Sequence, residues 1–216
     1  MKQTRILVLS ALLIVCGGAA FGQAEVAIGV KGGLNFANVN ITSVQATYDN
    51  RTGYHFGAYA MFKFTKRAIQ PEIVFSQQGH TVTFNSQNFS NNYSYVNVPV
   101  MLKLYLVAGL NLQAGVQFGF LSSAQGAVYN TVTSGTTASQ DVKNLLNSTD
   151  FSVPVGIGFD LPFGLNLTAR YNIGMSDINK YTGSTTQTTL SALGTQTAKN
   201  QVFQLSAGFR LFKLGK

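Results

Sequence analysis

The sequence has few of the features by which soluble enzymes and small secreted domains are recognised. Its 216 residues include one cysteine, two histidines and no tryptophan. Charged residues make up 10% of the chain, against about 25% in an ordinary soluble domain. Because the one cysteine, Cys16, lies close to the N-terminus, the residues after it cannot form a disulfide with one another. Backbone pairing and burial must therefore stabilise the rest of the chain.

Residue types that carry catalysis or bind metals are also scarce. With only His55 and His80, and no cysteine after Cys16, the usual zinc sites cannot be assembled. No G-x-S-x-G motif places a nucleophilic serine, although a Ser-His-Asp triad that uses His80 stays formally open. The glycines of 29–33 are not followed by a helical pattern, so they do not form a phosphate loop. We expect no catalytic residue, no metal and no cofactor.

The N-terminal segment has the pattern of a secretory signal. Lys2 and Arg5 precede an apolar run over residues 6–15. Its length suits the hydrophobic region of a signal peptide. It is well short of the roughly 20 apolar residues that a membrane-spanning helix needs.

Small residues follow this run, and Ala20 and Gly22 fit the −3 and −1 positions of a signal-peptidase site. We therefore predict a cleaved signal peptide over 1–22 and one domain over 23–216, although cleavage two residues later is an alternative. A lipid-modified Cys16 is a further alternative, but Val15 is bulkier than the small residue that such sites favour.

From residue 25 onward, segments of about ten residues alternate between apolar and polar side chains, which is the period of a β-strand. In the second segment, one face carries Tyr54, Phe56, Ala58, Ala60, Phe62 and Phe64, and the other carries His55, Gly57, Tyr59, Met61 and Lys63. Eight such segments occur, at 26–35, 54–64, 69–78, 96–105, 110–120, 151–160, 165–174 and 203–211. An even number of strands is typical of single-chain outer-membrane barrels.

The connections between these segments alternate in length. Tight turns are predicted at 65–67, 107–109 and 162–164, and long polar loops at 37–52, 79–92, 125–149 and 176–200. Short periplasmic turns and long extracellular loops are the arrangement of an outer-membrane barrel. The sequence thus predicts an all-β fold, an up-and-down antiparallel transmembrane barrel of eight strands with four long extracellular loops.

In lipid, the apolar face of such a barrel points outward and its polar face lines the lumen, which eight strands leave just wide enough for side chains. Glycines on the same face would make room for long polar side chains. The predicted lumen contains seven charged residues: Lys31, Lys63, Glu72, Lys103, Asp160, Arg170 and Arg210.

An unpaired buried carboxylate is costly, so we expect Glu72 to pair with Lys63, Lys103 or both, and Asp160 with Arg170 or Arg210. A structural plug of salt bridges is favoured. The alternative is a proton or ion path, because ionisable groups inside a membrane are functional candidates.

The excess of positive charge does not indicate a nucleic-acid partner. The formal net charge of +8 becomes +6 once Lys2 and Arg5 leave with the signal. The long loops are balanced, with the cations Arg51, Lys143, Lys180 and Lys199 and the anions Asp49, Asp141, Asp150 and Asp177. A nucleic-acid binder would instead concentrate cations on an accessible patch. The surplus lies in the lumen and at the periplasmic rim, where Lys66, Arg67, Lys213 and Lys216 outnumber Glu25.

Several motifs, in order along the chain, resemble the PorT-like outer-membrane β-barrel domain family of the Bacteroidetes. They are Gly29-Val30-Lys31-Gly32-Gly33-Leu34-Asn35, Ile69-Gln70-Pro71-Glu72-Ile73, Phe75-Ser76-Gln77-Gln78-Gly79, Val98-Pro99-Val100-Met101-Leu102-Lys103, Ala114-Gly115-Val116-Gln117-Phe118-Gly119-Phe120 and Ala169-Arg170-Tyr171-Asn172-Ile173-Gly174. The resemblance implies an integral outer-membrane protein with an eight-stranded barrel. The chain departs from the family in its tail, Lys213-Leu214-Gly215-Lys216, where such barrels more often end on an aromatic residue.

Taken together, these patterns predict a non-enzymatic, monomeric protein of the bacterial outer membrane that contacts lipid. We expect its four long loops to contact another envelope protein or an extracellular ligand. Two alternatives stay open: a small ion or solute channel, and a soluble periplasmic barrel that binds an apolar ligand. The second alternative requires the apolar faces to point inward.

Overall fold

The computed structural model describes residues 24–40, 47–84, 87–126, 129–130, 135–136, 140–141, 143, 146–176 and 199–215. The predicted signal peptide, 1–22, lies outside these residues. Within the described part of the chain, no helix has the length and apolar character needed to cross a membrane.

Eight strands form the fold, and each pairs antiparallel with the next one along the chain. They are β1 (Ala24–Asn40), β2 (Thr47–Phe64), β3 (Arg67–Phe84), β4 (Gln87–Tyr105), β5 (Leu110–Gly126), β6 (Thr149–Asp160), β7 (Leu165–Gly174) and β8 (Lys199–Leu214). Strand β8 also pairs with β1, from Val26 opposite Leu214 to Asn40 opposite Lys199, so the sheet closes. The predicted eight-stranded antiparallel barrel is confirmed.

The side chains face the directions that the alternation predicted. Phe56 and Leu102 point outward and are 55% and 59% exposed, whereas Lys103 and Arg170 point into the lumen and are 3% and 2% exposed. An apolar exterior around a polar interior suits a barrel surrounded by lipid. The alternative of a soluble barrel with inward apolar faces is therefore wrong.

The strands extend further than predicted at the loop end of the barrel. Most of the loop predicted at 79–92 is a paired hairpin, in which residues 79–84 of β3 lie opposite residues 87–92 of β4. Alternation of apolar and polar residues marks only the part of a strand that has one face in lipid. Hydrogen bonds between the backbones of two strands do not require alternating side chains. The pairing of β3 with β4 therefore continues beyond the membrane-embedded part of the strands, through Ser, Thr and Asn residues.

The other three predicted loops are shortened in the same way. Strand β1 runs to Asn40 and β2 starts at Thr47, inside the predicted loop 37–52. The loop 125–149 contains further pairing, since Gln140–Asp141 lies opposite the end of β5 and Tyr129–Asn130 pairs with Gly135–Thr136. Asp150, predicted as a loop anion, lies in β6, and Lys199 of the predicted loop 176–200 starts β8.

The periplasmic connections are tight because their residues adopt positive φ angles. Thr65 in the β2–β3 turn has φ of 50°, Ala108 and Gly109 in the β4–β5 turn have 51° and 86°, and Gly164 in the β6–β7 turn has 97°. Such angles let an antiparallel connection reverse within a few residues. The three short turns predicted from the sequence are present.

Candidate functional site

The centre of the lumen is a charge cluster around Glu72, whose carboxylate accepts hydrogen bonds from three residues. Arg170 donates from Nη1 at 2.9 Å and from Nη2 at 2.6 Å, Lys31 donates from Nζ at 3.0 Å, and Gln70 donates from Nε2 at 2.8 Å. The side chain of Glu72 is 0% exposed. The two-pronged arginine contact is the strong form of an ion pair, and it links β3 to β7 on the opposite wall.

The predicted pairing of Glu72 with Lys63 or Lys103 is wrong, and the strand register explains why. Lys63 and Lys103 both lie opposite Ala68 on β3. Glu72 is four residues further along the strand, about 13 Å away at 3.3 Å per residue. Arg170 is nearer because the narrow lumen lets a long side chain cross it.

A second ion pair lies closer to the periplasmic end. Lys103 Nζ is 3.3 Å from Asp160 Oδ2, and the Tyr105 hydroxyl donates to the same oxygen at 2.6 Å. Lys63 Nζ lies 4.1 Å from the centre of the Tyr105 ring, a cation–π contact. Asp160 was predicted to pair with Arg170 or Arg210, and this prediction is also wrong, since Arg170 lies level with Gly156.

The last charged contacts are at the periplasmic rim, where β8 meets β1. Arg210 Nη1 lies 2.9 Å from Glu25 Oε1, and Lys213 Nζ lies 3.4 Å from Glu25 Oε2. Arg210 also donates to the carbonyl of Pro162 in the β6–β7 turn, at 3.3 Å. The rim contacts therefore connect β1 and β8 with each other and with the β6–β7 turn.

Above the Glu72 cluster, neutral polar side chains form a network around His55. His55 Nδ1 is 2.7 Å from Asn35 Oδ1, and His55 Nε2 is 2.8 Å from Ser206 Oγ. Gln204 donates to the same Asn35 oxygen at 3.0 Å, while Asn35 Nδ2 donates to Ser76 at 2.9 Å. All five residues are buried and were placed on the polar faces by the sequence. The network joins β1, β2, β3 and β8.

The extracellular end of the lumen contains a buried apolar cluster that was not predicted from the sequence. Its members are Tyr93, Tyr95, Leu121, Ala124 and Leu146, each at most 5% exposed. Leu146 comes from the predicted loop 125–149 and folds over the lumen, held by a hydrogen bond from its N–H to the Lys143 carbonyl at 3.2 Å. The available signal was the pair Leu145-Leu146, the one Leu-Leu pair in the four predicted loops. We call this cluster the extracellular plug.

Beneath the extracellular plug, two buried amides lack hydrogen-bond partners within the described part of the chain. They are Asn97 through Nδ2 and Asn172 through both side-chain atoms. Buried polar atoms in proteins are usually satisfied by protein groups or ordered water. In the Glu72 cluster, by comparison, Gln70 Oε1 is the one buried side-chain atom of the described residues that lacks a partner, so this level of the lumen is less completely bonded.

Glycines on the inner face make room for the polar side chains, as predicted. A Cβ on Gly29 would lie 2.4 Å from the Tyr59 hydroxyl and 2.5 Å from the Phe209 carbonyl. A Cβ on Gly158 would lie 2.2 Å from Gln113 Nε2. Both distances are far below contact, so these side chains can pass only because the opposing residue is glycine.

A closed barrel with an apolar exterior and a polar, side-chain-filled lumen defines the class of outer-membrane β-barrel proteins. Residues 21–180 match the family model described as outer membrane protein beta-barrel domain. The chain belongs to this family and is a bacterial outer-membrane protein. Its apolar exterior therefore faces membrane lipid.

Solved structures of outer-membrane barrels are similar to the chain. Neisserial surface protein A is 9% identical with a TM-score of 0.49, and the match covers 85% of this chain and 97% of that one. Ail, the attachment invasion locus protein of Yersinia pestis, solved with the heparin analogue sucrose octasulfate, is 14% identical with a TM-score of 0.47, covering 88% and 100%. The translocator domain of autotransporter NalP from Neisseria meningitidis is 10% identical with a TM-score of 0.26, covering 97% and 96%. No curated protein matches the sequence.

Proposed function

We propose that this protein is a non-enzymatic surface protein that binds a partner through the sheet that β2, β3 and β4 extend beyond the barrel. Residues 47–50 of β2 pair with residues 80–83 of β3, and 81–84 of β3 with 87–90 of β4. Within the barrel family, the sequence motifs between Gly29 and Gly174 favour a PorT-like member.

The observation that carries this proposal is a pair of open strand edges on the extended sheet. The pairing of β1 with β2 ends at Ala37 opposite Arg51, and that of β4 with β5 ends at Asn92 opposite Gln125. Above these points, no described residue pairs with the outer side of β2 or of β4. An open edge presents backbone N–H and C=O groups, and a partner can add to it as a further strand.

The state of the lumen favours binding over conduction. The Glu72 cluster spans the barrel from β3 to β7, and the extracellular plug packs buried apolar side chains of β4, β5 and Leu146 above it. An ion would have to separate buried charges that bond one another, which is costly in a membrane interior. We therefore propose that the protein does not act as a channel.

The side chains of the lumen also do not form an accessible catalytic site. Ser206 and His55 are in hydrogen-bond contact, but they are 7% and 2% exposed, and the partner of the second imidazole nitrogen is the amide of Asn35. In a Ser-His-Asp site, a carboxylate orients the imidazole and a substrate reaches the serine. No group of three or more His, Cys, Asp or Glu side chains suited to a metal occurs among the described residues.

Shortening the extended hairpin would test the proposal. In one variant, residues 81–90 are replaced by Asn-Gly, which forms a tight hairpin turn. In a matched control, the periplasmic turn Thr65-Lys66 is replaced by Asn-Gly.

Whole cells that carry each protein are crosslinked, and the attached partners are identified after purification in detergent. Partners should be lost with the shortened hairpin and kept with the control, while both proteins keep the heat-modifiable band shift of a folded barrel. The same partners recovered from all three proteins would contradict the proposal.

Single-channel recording tests the alternative that the protein is a channel. We expect a silent bilayer for the wild-type protein. A steady conductance that changes in Glu72→Gln would show instead that ions pass the charge cluster.

A further inference from the structure

An apolar groove crosses the lipid-facing surface over β6, β7, β8 and β1. Its volume is about 560 Å³, and its floor includes three small residues, Gly32, Ala169 and Ala207. These residues are near neighbours in the sheet, because Gly32 lies opposite Ala207 and Ala169 lies opposite Leu205, two residues from Ala207. The walls are the outward side chains of Leu34, Ile157, Phe159, Leu167 and Leu205.

The barrel itself does not require a glycine at position 32. A Cβ there would lie 3.4 Å from its nearest neighbour, the His55 carbonyl, which is ordinary contact. At Gly33 and Gly57, by contrast, a Cβ would lie 1.9 Å and 2.1 Å from backbone oxygens. Packing within the chain therefore explains Gly33 and Gly57 but leaves the space outside Gly32 unfilled.

The opposite side of the exterior has the reverse shape. On β2 and β3, the rings of Tyr54, Phe56 and Phe75 stack into a ridge, with centroids 6.5 Å and 5.6 Å apart. The lipid-facing surface thus carries large side chains on β2 and β3, whereas small side chains leave the groove open on the other side.

We propose that the groove binds one acyl chain of a phospholipid from the periplasmic leaflet. The lining carries no charged side chain, so it suits a hydrocarbon chain and no polar ligand. The groove also reaches Leu110, the first residue of β5, directly after the periplasmic turn at 107–109. Its lower end thus opens at the periplasmic side of the membrane, where the head group of such a lipid lies.

A second copy of the chain fits the groove less well. In a two-fold dimer, both copies would contribute the same surface, so one groove would face the other and leave a void. A ridge inserted into the groove of another copy would use two different surfaces and would build an open chain of barrels. An acyl chain fills the space without either consequence.

Photo-crosslinking in vesicles would test this assignment. The purified barrel is placed in phosphatidylethanolamine and phosphatidylglycerol vesicles that contain a small fraction of phosphatidylcholine with a photoactivatable acyl chain. Mass spectrometry then maps the labelled residues. We expect labelling at Leu167 and Leu205 to exceed that at Phe56 and Phe75, which face lipid on the ridge.

Two alanine variants with the same added volume supply the comparison. Ala207→Phe fills the groove, whereas Ala58→Phe adds the same ring to the outer face of β2. In Ala207→Phe, labelling at Leu167 and Leu205 should fall to the level at Phe75, and Ala58→Phe should retain the wild-type pattern. Both variants should keep the heat-modifiable band shift. Even labelling around the wild-type barrel, or an unchanged pattern in Ala207→Phe, would overturn the proposal. Crosslinked dimers that disappear in Ala207→Phe would assign the groove to a second copy.

Discussion

The periplasmic and extracellular halves of the lumen are filled by different interactions. In the periplasmic half, Glu72 and Asp160 bond to Arg170, Lys31 and Lys103, and all of these side chains are buried except that of Asp160, which is 21% exposed. In the extracellular half, the plug packs aromatic and aliphatic side chains over amides that lack partners. The stability of the periplasmic half therefore depends on specific ion pairs, and the stability of the extracellular half depends on the volume of the packed side chains.

The two halves of the lumen should therefore tolerate different substitutions. Removing one member of a buried ion pair leaves the other charged and unsolvated, so the periplasmic half should be sensitive to single substitutions. The extracellular half should respond to lost volume and be tolerant of changes in polarity.

Glu72→Ala should have the largest effect. It leaves Lys31 and Arg170 buried without their carboxylate, and breaking a buried ion pair in this way costs roughly 3–5 kcal/mol. Urea unfolding of the barrel in lipid vesicles would measure the loss. Lys63→Met is the control, because Lys63 contacts only the Tyr105 ring among the contacts found in the described residues. The triple replacement of Lys31, Glu72 and Arg170 by Met, Leu and Met should recover much of the stability. A Glu72→Ala variant as stable as Lys63→Met would show that the periplasmic half of the lumen does not depend on its ion pairs.

Tyr95→Ala should lower the free energy of unfolding by about 3 kcal/mol, because it leaves a cavity in the extracellular plug. Tyr95 is 2% exposed within that cluster. Leu104→Ala, which shortens a side chain on the outer face, should cost less. The same unfolding assay compares the two. Equal losses would mean that the plug does not pack as a core.

Gly29→Val should destabilise the barrel by roughly 1–3 kcal/mol, the usual effect of forcing a side chain into a packed interior. The new atoms would displace the Tyr59 hydroxyl, which accepts a hydrogen bond from Asn166 at 2.9 Å. Gly32→Ala on the outer face is the control, since space exists for its Cβ. Unfolding midpoints of the two variants should therefore differ, and matching midpoints would contradict the assigned directions of the two glycines.

Asn172→Leu should have the smallest effect. Both polar atoms of its side chain lack partners among the described residues, so removing them sacrifices no protein hydrogen bond. Replacing an unsatisfied buried amide with an apolar group of similar shape is close to neutral or stabilising. We expect the unfolding free energy to change by at most about 1 kcal/mol in the same assay. A large loss would indicate that Asn172 holds ordered water.

The sequence predicted the barrel and its facing well because period two is a local property of each strand. Arg170 and Lys103 could be assigned to the lumen from their neighbours alone. The tight turns were predictable for a similar reason, since Gly109 and Gly164 mark where the chain reverses. Pairing along the upper parts of β3 and β4 was missed because residues 79–92 are rich in Ser, Thr, Asn and Gln, and this polar composition was interpreted as a loop.

The contacts inside the lumen were harder to predict, because they depend on register and on distance across the barrel. Glu72 was matched to lysines on adjacent strands, although both lie four residues away along the sheet. Its main partner, Arg170, is 98 positions away in the sequence and comes from the opposite wall. Leu146 was missed for a different reason, since a loop that folds back over the lumen leaves no periodic pattern.

The pairing between β1 and β8 has a consequence for the order of assembly. Five of the other seven strand pairings join neighbours through connections of at most six residues, whereas β5 and β6 are joined through residues 127–148 and β7 and β8 through residues 175–198. The partners Leu34 and Leu205 are 171 positions apart. Closing so long a loop carries the highest entropic cost of any pairing in the sheet. We therefore expect this seam to form last, with Glu25, Arg210 and Lys213 completing it. Engineered cysteine pairs across β1–β8 and β3–β4, quenched at intervals during refolding, would show the seam disulfide appearing after the other.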